Sequence, residues 1–142
     1  MLFANNIPDR RRVRKLTAAA GSANAITIDT AECGTDFFLS AMNAAAYTVK
    51  LPTLANAGAG WHCRFIVNDA DQALGQIVTI ESQDSGKMVS TFLNNAVYAS
   101  EDGGDDLKFA ASALKGEQIE VFTDGEFWYL RGHTSIAAGI TF

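Results

Sequence analysis

The sequence predicts an all-β fold, a compact β-sandwich or barrel of the jelly-roll or β-tulip kind, preceded by an extended N-terminal arm. The first observation is that about ten short apolar-rich runs recur at roughly 8 to 12 residue spacing, with turn residues between them. A second is that no stretch has a sustained helical period; residues 41–46 would form one turn at most. A third is size, because 142 residues of which 48% are apolar suit one domain with a proper core.

Residues 1–16 are predicted to be the arm. They show no sustained period, and Pro8 disfavours a helix through Ile7. Leu2, Phe3 and Ile7 would then be apolar anchors that dock on a neighbour; the alternative is a frayed terminus. The basic residues of the segment are Arg10, Arg11, Arg12, Arg14 and Lys15.

Charge is divided unevenly along the chain, although the net charge is only −5. Residues 1–16 hold five basic groups and one acidic group, whereas the other 126 residues hold six basic and fifteen acidic groups. A body of net charge −9 is not expected to bind nucleic acid, since that affinity comes mainly from neutralising phosphates. The basic arm is suited either to phosphates or to an acidic protein surface.

Residues 17–142 are predicted to be a single β domain, entered through a small polar linker at 17–24. The expected strands cover 25–29, 36–40, 47–51, 61–67, 76–81, 87–93, 97–100 and 107–111, with an acidic, glycine-rich loop tip at 101–106. Alternation gives the third strand three inward side chains, Tyr47, Val49 and Leu51. The fourth strand has one apolar and one polar face; the apolar face carries Trp61, Cys63, Phe65 and Val67.

Residues 117–132 give the strongest local signal, a β-hairpin whose runs 119–123 and 126–131 flank Asp124-Gly125. A two-residue type I′ turn is preferred and would set Val121 opposite Trp128; a type I turn with a bulge at Gly125 would shift the pairing. One face would join the core through Ile119, Val121, Trp128 and Leu130. The other face mixes charge with aromatic side chains, and its aromatic residues are predicted to form a subunit interface: Phe122, Phe127 and Tyr129.

The residues capable of chemistry do not form a legible catalytic or metal site. Cys33 and Cys63 are interpreted as reduced core thiols, and His62 points to the opposite face of its strand from Cys63. A zinc site needs about four converging ligands, and this chain supplies no plausible set, so no metal or cofactor is predicted. No serine lies in a Gly-x-Ser-x-Gly motif and no carboxylate pair has a visible cleft, so no catalytic residue is predicted and the protein is not expected to be an enzyme. No apolar run approaches the roughly 18 residues of a membrane span, so no membrane partner is predicted. No signal peptide is predicted either, because the charged residues come after a short apolar start and no apolar h-region follows them.

Two segments of the chain resemble a known family. The first runs from Gly34 through Tyr47-Thr48-Val49-Lys50-Leu51-Pro52 to Phe65-Ile66-Val67. The second joins Gly116-Glu117-Gln118-Ile119-Glu120 to Thr123-Asp124-Gly125 and Trp128-Tyr129-Leu130. Together, over residues 17–132, they are similar to small β-rich virion proteins of tailed bacteriophages, the head decoration or cement proteins. The basic run at 9–15 and the tail after Gly132 are not parts of the family's pattern.

The resemblance implies a non-catalytic protein on the outer surface of a capsid, which binds the major capsid protein and clamps neighbouring capsid subunits. It also implies a homo-oligomer, often a trimer. In that setting the arm would supply the capsid contacts, and the aromatic hairpin face would supply contacts within the trimer. The alternative is a β-rich binding module of a phage tail fibre or receptor-binding apparatus, because similar motifs occur there.

Overall fold

The computed structural model describes residues 11–17, 25–41, 45–68 and 74–142. In this part of the chain regular structure is nearly all β, with one 3₁₀ turn at Thr30–Glu32 and one helical turn, α1, at Leu54–Ala57. The all-β prediction is confirmed. The strands are β1 Arg12–Leu16, β2 Ala25–Thr27, β3 Thr35–Leu39, β4 Tyr47–Lys50, β5 His62–Val67, β6 Val78–Glu81, β7 Met88–Asn94, β8 Val97–Gly104, β9 Asp106–Phe109, β10 Gln118–Thr123, β11 Trp128–Thr134 and β12 Ile140–Thr141.

The strands form two mixed sheets. The larger sheet has the order β1-β3-β5-β10-β11-β7-β8, and the smaller one has the order β12-β9-β6-β4-β2. The first six strands alternate between the sheets, and each strand from β3 to β6 pairs in parallel with the strand two places earlier. The chain therefore winds between the two sheets before β7 to β12 complete them. This mixture of parallel and antiparallel pairs differs from a jelly roll, which is an antiparallel architecture.

The core lies between the two sheets, because alternate side chains of each strand point into that space. Phe37, Phe65 and Trp128 of the larger sheet and Phe109 of the smaller one are fully buried. Phe37 and Phe65 stack with ring centroids 5.4 Å apart, and Trp61 meets Trp128 edge-on at the same distance. Burial of side chains of this size contributes about 1.5–3 kcal/mol each. The inward faces predicted around β4 and β5 are confirmed, since all their members are buried: Tyr47, Val49, Leu51, Trp61, Cys63, Phe65 and Val67.

The body begins earlier than the predicted boundary at residue 16. Arg12–Leu16 forms β1, which pairs in parallel with β3 from Arg12 opposite Thr35 to Leu16 opposite Leu39. The physical reason is that the side chain of Leu16 is only 2% exposed, so the segment has a core contact of its own. The remaining residues of the predicted arm contact lie outside the described residues: Leu2, Phe3, Ile7 and Arg10.

The acidic stretch at 101–106 is mostly strand, where a loop tip was predicted. β8 continues to Gly104, with Glu101 opposite Ser90 and Asp102 opposite Val89 of β7. The register shifts beside Gly103, which has a φ of 83°, so this glycine accommodates a bulge within the pair. A polar strand that contains glycines has the composition of a loop, which explains the error.

β10 and β11 form the predicted hairpin, but with a different register. Thr123 pairs with Trp128 and Val121 pairs with Leu130, so the loop has four residues and not two. The partner of Val121 is therefore two positions beyond the predicted Trp128. Because the shift is an even number of residues, the predicted core face is retained.

The wider loop follows from the side chain of Asp124. Its Oδ1 accepts hydrogen bonds from the backbone N–H groups of Glu126 and Phe127, each at 2.9 Å. Asp side chains often bond to the backbone two or three residues ahead and hold a turn in that way. The N–H of Gly125 is also engaged, since it donates to Oγ1 of Thr123 at 2.8 Å. These bonds stabilise the four-residue loop over the tighter turn.

Candidate interaction face and strand edges

The outward face of the larger sheet contains the predicted hairpin near its centre. A row of charged residues crosses this face. The strand registers set Asp36 beside Arg64, Arg64 beside Glu120, and Glu120 beside Arg131. The signs alternate, so neighbours in this charge row attract each other across the strands.

Asp36 and Arg64 form the tight end of the charge row. Arg64 donates from Nε to Oδ1 of Asp36 at 3.1 Å and from Nη2 to Oδ2 at 2.8 Å, which is a two-point contact. This hydrogen bonding raises the pKa of Arg64. The Asp36 side chain is 9% exposed and the Arg64 side chain 26%, whereas Glu120 and Arg131 lie 3.9 Å apart and are well exposed.

A concavity of about 310 Å³ adjoins the charge row. Its lining includes two arginines and two carboxylates, so the charges balance locally; they are Arg11, Arg64, Asp36 and Glu120. His62 also lines it, with Nδ1 3.1 Å from the carbonyl oxygen of Gly60 and 3.7 Å from Sγ of Cys33. Such a balanced lining favours neither anions nor cations, so it indicates no particular ligand.

Both cysteines are free thiols, as predicted. Cys63 is 5% exposed, and burial, followed by the proximity of Cys33, raises the pKa of its thiol. A thiol with a raised pKa holds little of the nucleophilic thiolate form. Cys33 is half-buried and is the more accessible of the two.

The predicted subunit-interface residues lie close together, but each packs on its own chain. Phe122 and Tyr129 face each other across the hairpin and stack with centroids 5.4 Å apart. Phe127 belongs to the four-residue loop, where Nζ of Lys87 lies 4.5 Å from its ring centroid. All three aromatic side chains are half-buried, so part of their surface is already used within the chain. Their role in an interface between subunits stays a prediction.

The hydroxyl of Tyr129 donates a hydrogen bond to Oδ2 of Asp124 at 2.8 Å. That bond raises the pKa of Tyr129. The pKa of Asp124 is lowered, first by the N–H of Phe127, then by the N–H of Glu126 and by this hydroxyl. The conformation of the hairpin loop is therefore held by the Asp124 carboxylate, which accepts from two backbone N–H groups and from the Tyr129 hydroxyl.

Among the described residues, the most exposed large apolar side chains lie elsewhere: three near the tip of β7 and β8, one at the opposite edge of the sheet, and Ile77, which is 46% exposed, just before β6. Val97 is 66% exposed, Tyr98 78% and Phe142 37%, and on the opposite edge of the sheet Val13 is 60% exposed. Val97 and Phe142 border an apolar groove of about 420 Å³ whose other lining includes Ala99, Ala137, Ala138 and Ile140. The periodicity of the strands gives no signal for this surface, and only the apolar residues at 136–142 indicate part of it.

The basic residues predicted to contact a capsid are partly tied to the body. Arg11 lies 3.4 Å from Asp36, and Nη1 of Arg14 lies 2.6 Å from Oε1 of Glu32. Arg12 donates to the carbonyl oxygen of Ala31 at 2.5 Å. Arg12, Arg14 and Lys15 remain exposed along β1. The structure thus gathers four of the five predicted basic residues at one edge of the larger sheet.

Among the described residues, no group of three or more His, Cys, Asp or Glu side chains is placed to hold a metal ion. No helix in the same part of the chain has the length and apolar character to cross a membrane. Comparison of the whole chain with protein-family models, with curated proteins and with solved structures finds no match. The assignment of a function therefore depends on the geometry and on the sequence resemblance.

Proposed function

We propose that this protein is a capsid decoration, or cement, protein of a tailed bacteriophage. It binds the major capsid protein on the outer surface of the virion and stabilises contacts between capsid subunits, as a homo-oligomer and without catalysis. The resemblance to that family supports the proposal. The resembling segments include β3, β4, β5 and β10, so the likeness falls on interior strands of both sheets, which have a neighbour on each side.

The observation that carries the proposal is the fixed position of the basic strand. Ion pairs tie Arg11 to Asp36 and Arg14 to Glu32, and β1 pairs with β3 along its whole length. Residues 1–10 therefore join the body at a defined edge of the larger sheet. Ten residues can span about 33 Å when extended, which is enough to reach an adjacent subunit.

The arm and the body divide the work in this proposal. The body rests on one capsid subunit, and the apolar anchors Leu2, Phe3 and Ile7 bind the next. A second contact through a short tether raises the effective concentration of each site at the other and so slows dissociation. Mechanical support of the capsid then follows from bridging, because separation of the two subunits requires release of the arm or of the body.

The test is co-sedimentation with capsids that lack the protein, in a salt series from about 0.05 to 0.5 M. The deletion variant lacks residues 1–10 only, since a longer deletion removes β1. The full chain is expected to co-sediment, and the deletion is expected to weaken binding at least about tenfold. A matched variant keeps the length and charge of the arm but carries Leu2→Ser, Phe3→Ser and Ile7→Ser; it separates apolar anchoring from tethering.

Failure of the full chain to co-sediment at any salt concentration would reject the decoration role. A glycan screen would then test the alternative, a binding module of a tail fibre or receptor-binding apparatus. Equal binding by the full chain and both variants would retain the decoration role but assign the contact to the body.

A further inference from the structure

The two outermost strands of the larger sheet are long and open to solvent. β1 has five residues, of which only Leu16 is buried, and β8 has eight, of which only Gly104 is buried. Within the described residues no strand pairs with the outer side of either. An exposed strand edge presents a row of N–H and C=O groups that another strand can bind.

The two edges carry opposite charge. β1 presents Arg12 and Lys15, together with Arg14, whose guanidinium is also ion-paired with Glu32, and β8 presents Glu101 and Asp102. The strand that flanks β8 does not neutralise its acids, since their partners on β7 are Ser90 and Val89. Pairing of like edges would set like charges opposite each other, which is unfavourable. Pairing of β1 with β8 of another molecule sets opposite charges together.

The directions of the strands fix the geometry of such a pairing. β1, β3 and β5 are mutually parallel, β10 opposes β5, β11 and β7 oppose β10, and β8 opposes β7. β1 and β8 therefore run in opposite directions. A neighbouring copy rotated about an axis along the strands would bring its β8 antiparallel to β1.

One register satisfies both charge and sidedness. Alternate residues of a strand lie on the same side, so Arg12 lies on the core side of β1 together with the buried Leu16. On β8, Ala99 lies opposite the buried Phe92, so Ala99 and Glu101 lie on the core side of that strand. If Arg12 of one copy lies opposite Glu101 of the next, the core side of one larger sheet continues into the core side of the other. The same register sets Arg11 opposite Asp102, Val13 opposite Ser100 and Lys15 opposite Tyr98. The exposed Tyr98 ring then receives a lysine side chain, a favourable cation–π arrangement.

We infer that a second copy of this chain binds these edges, with β1 of one copy paired antiparallel to β8 of the next. The contact is head-to-tail, so repeated pairing forms a ring if the rotation closes. The inference deepens the homo-oligomer part of the proposed function and rests on that part alone. It assigns the subunit contact to Val13, Tyr98 and the charged edges, and not to the aromatic face of the hairpin.

The first experiment measures the mass of the purified chain by light scattering after size exclusion. The wild-type protein is expected to associate at low salt and to dissociate as salt rises. An acid-edge variant carries Glu101→Lys and Asp102→Lys, and a basic-edge variant carries Arg12→Glu and Lys15→Glu. The acid-edge variant has two basic edges, and in the basic-edge variant β1 positions 12, 14 and 15 change from three positive charges to a net charge of −1. Each variant alone is therefore expected to be monomeric. An equimolar mixture is expected to associate again, because each variant supplies the edge that the other lacks.

The controls separate an edge contact from general damage. Circular dichroism and thermal melts establish that each variant folds, and Glu126→Lys changes charge in the hairpin loop, away from both edges. Phe127→Asp tests the aromatic face and is expected to leave association unchanged. The inference would be overturned if both edge variants still associate. It would also be overturned if only the Phe127→Asp variant loses association, or if the wild-type protein is monomeric.

A disulfide experiment tests the register. In a Cys33→Ser background, Val13→Cys protein is mixed with Ser100→Cys protein under mild oxidation. A covalent pair between the two variants is expected, whereas Val13→Cys with Lys115→Cys is expected to give none. Equal yields in the two mixtures would overturn the register. Capsid co-sedimentation is measured separately. Edge-dependent association without capsid binding would reject the capsid-binding role and keep the edge contact. Capsid binding without edge-dependent association would reject the edge contact and keep the capsid-binding role.

Discussion

The buried and the exposed ends of the charge row should differ in energy, although both are Arg–carboxylate pairs on one face of one sheet. We expect a double-mutant cycle on Asp36 and Arg64 to give a coupling free energy of about 2 kcal/mol. The same cycle on Glu120 and Arg131 should give about 0–0.5 kcal/mol. The two pairs are neighbours in the charge row, since Arg64 lies beside Glu120. They therefore differ mainly in burial and in hydrogen-bond geometry, and the comparison measures the effect of those two properties.

The magnitude follows from the contacts. Asp36 and Arg64 share two hydrogen bonds, at 3.1 and 2.8 Å, and a hydrogen bond to a charged group contributes about 1.5–3 kcal/mol. Solvent at the 26% exposed Arg64 side chain lowers that sum, which leaves about 2 kcal/mol for the pair. Asp36→Ala alone should cost slightly more, about 3 kcal/mol, because Arg11 also loses its partner at 3.4 Å.

The assay is urea unfolding followed by tryptophan fluorescence, since both Trp61 and Trp128 are buried and will report loss of the core. A loss of 3 kcal/mol corresponds to a fall of about 1.5 M in the urea midpoint at a slope near 2 kcal/mol per M. Repetition at about 1 M salt should reduce the small Glu120–Arg131 coupling further and leave the Asp36–Arg64 coupling largely intact. Equal couplings for the two pairs, or a value below about 0.5 kcal/mol for Asp36 and Arg64, would refute the reasoning.

Four further outcomes are expected. With Ellman's reagent, one thiol of the native protein should react quickly and the second only on unfolding, because Cys63 is buried and its pKa is raised; Cys33→Ser should remove the fast phase. In an ultraviolet titration the Tyr129 phenol should ionise above its ordinary pKa, and Asp124→Asn should lower that pKa, with Tyr129→Phe as the assignment control. Since the pKa of Asp124 is lowered and that of Tyr129 is raised, the loop bonds contribute stability between the ordinary pKa of Asp and that of Tyr. This contribution should be lost as pH falls through the lowered value or rises through the raised one. Gly132→Ala should lower the free energy of unfolding by about 1–3 kcal/mol, because the Cβ of an alanine at this position would overlap the carbonyl oxygen of Gln118. The control is His133→Ala, on the exposed side of the same strand, which should change the free energy of unfolding by less than about 0.5 kcal/mol.

Periodicity predicted most strands correctly because the protein is a two-sheet fold, in which one face of each strand meets the core. The buried alternation of Trp61, Cys63, Phe65 and Val67 is the simplest case. β1 escaped prediction because both of its faces are exposed except at Leu16, so its pattern carries no period. β8 escaped in part for the same reason, since polar and small residues fill a strand that covers little core. The two strands that lack a hydrophobic period, β1 and β8, are therefore the edge strands of the larger sheet.

The parts of the candidate surface that involve distant pairings could not be predicted. Nothing local indicates that Asp36 lies beside Arg64, because 28 residues separate them and the pairing depends on the parallel register of β3 and β5. The hairpin loop was predictable in place but not in length. Asp-Gly favours a tight turn by its backbone preferences, whereas the Asp124 carboxylate stabilises a longer loop through three donors.

The topology converts a charge asymmetry along the sequence into one across the molecule. The basic run lies mostly within the first strand, at Arg12, Arg14 and Lys15, and the winding of β1 to β6 leaves that strand at one end of the larger sheet. The acidic run falls in β8, which closes the other end. Six strand spacings of about 4.8 Å place the two runs roughly 29 Å apart, well beyond the screening length of about 8–10 Å. At that distance the edges cannot neutralise each other within one molecule. Each edge can reach its counterpart only on a neighbour, so the charges that keep like edges apart also select the contact between unlike ones.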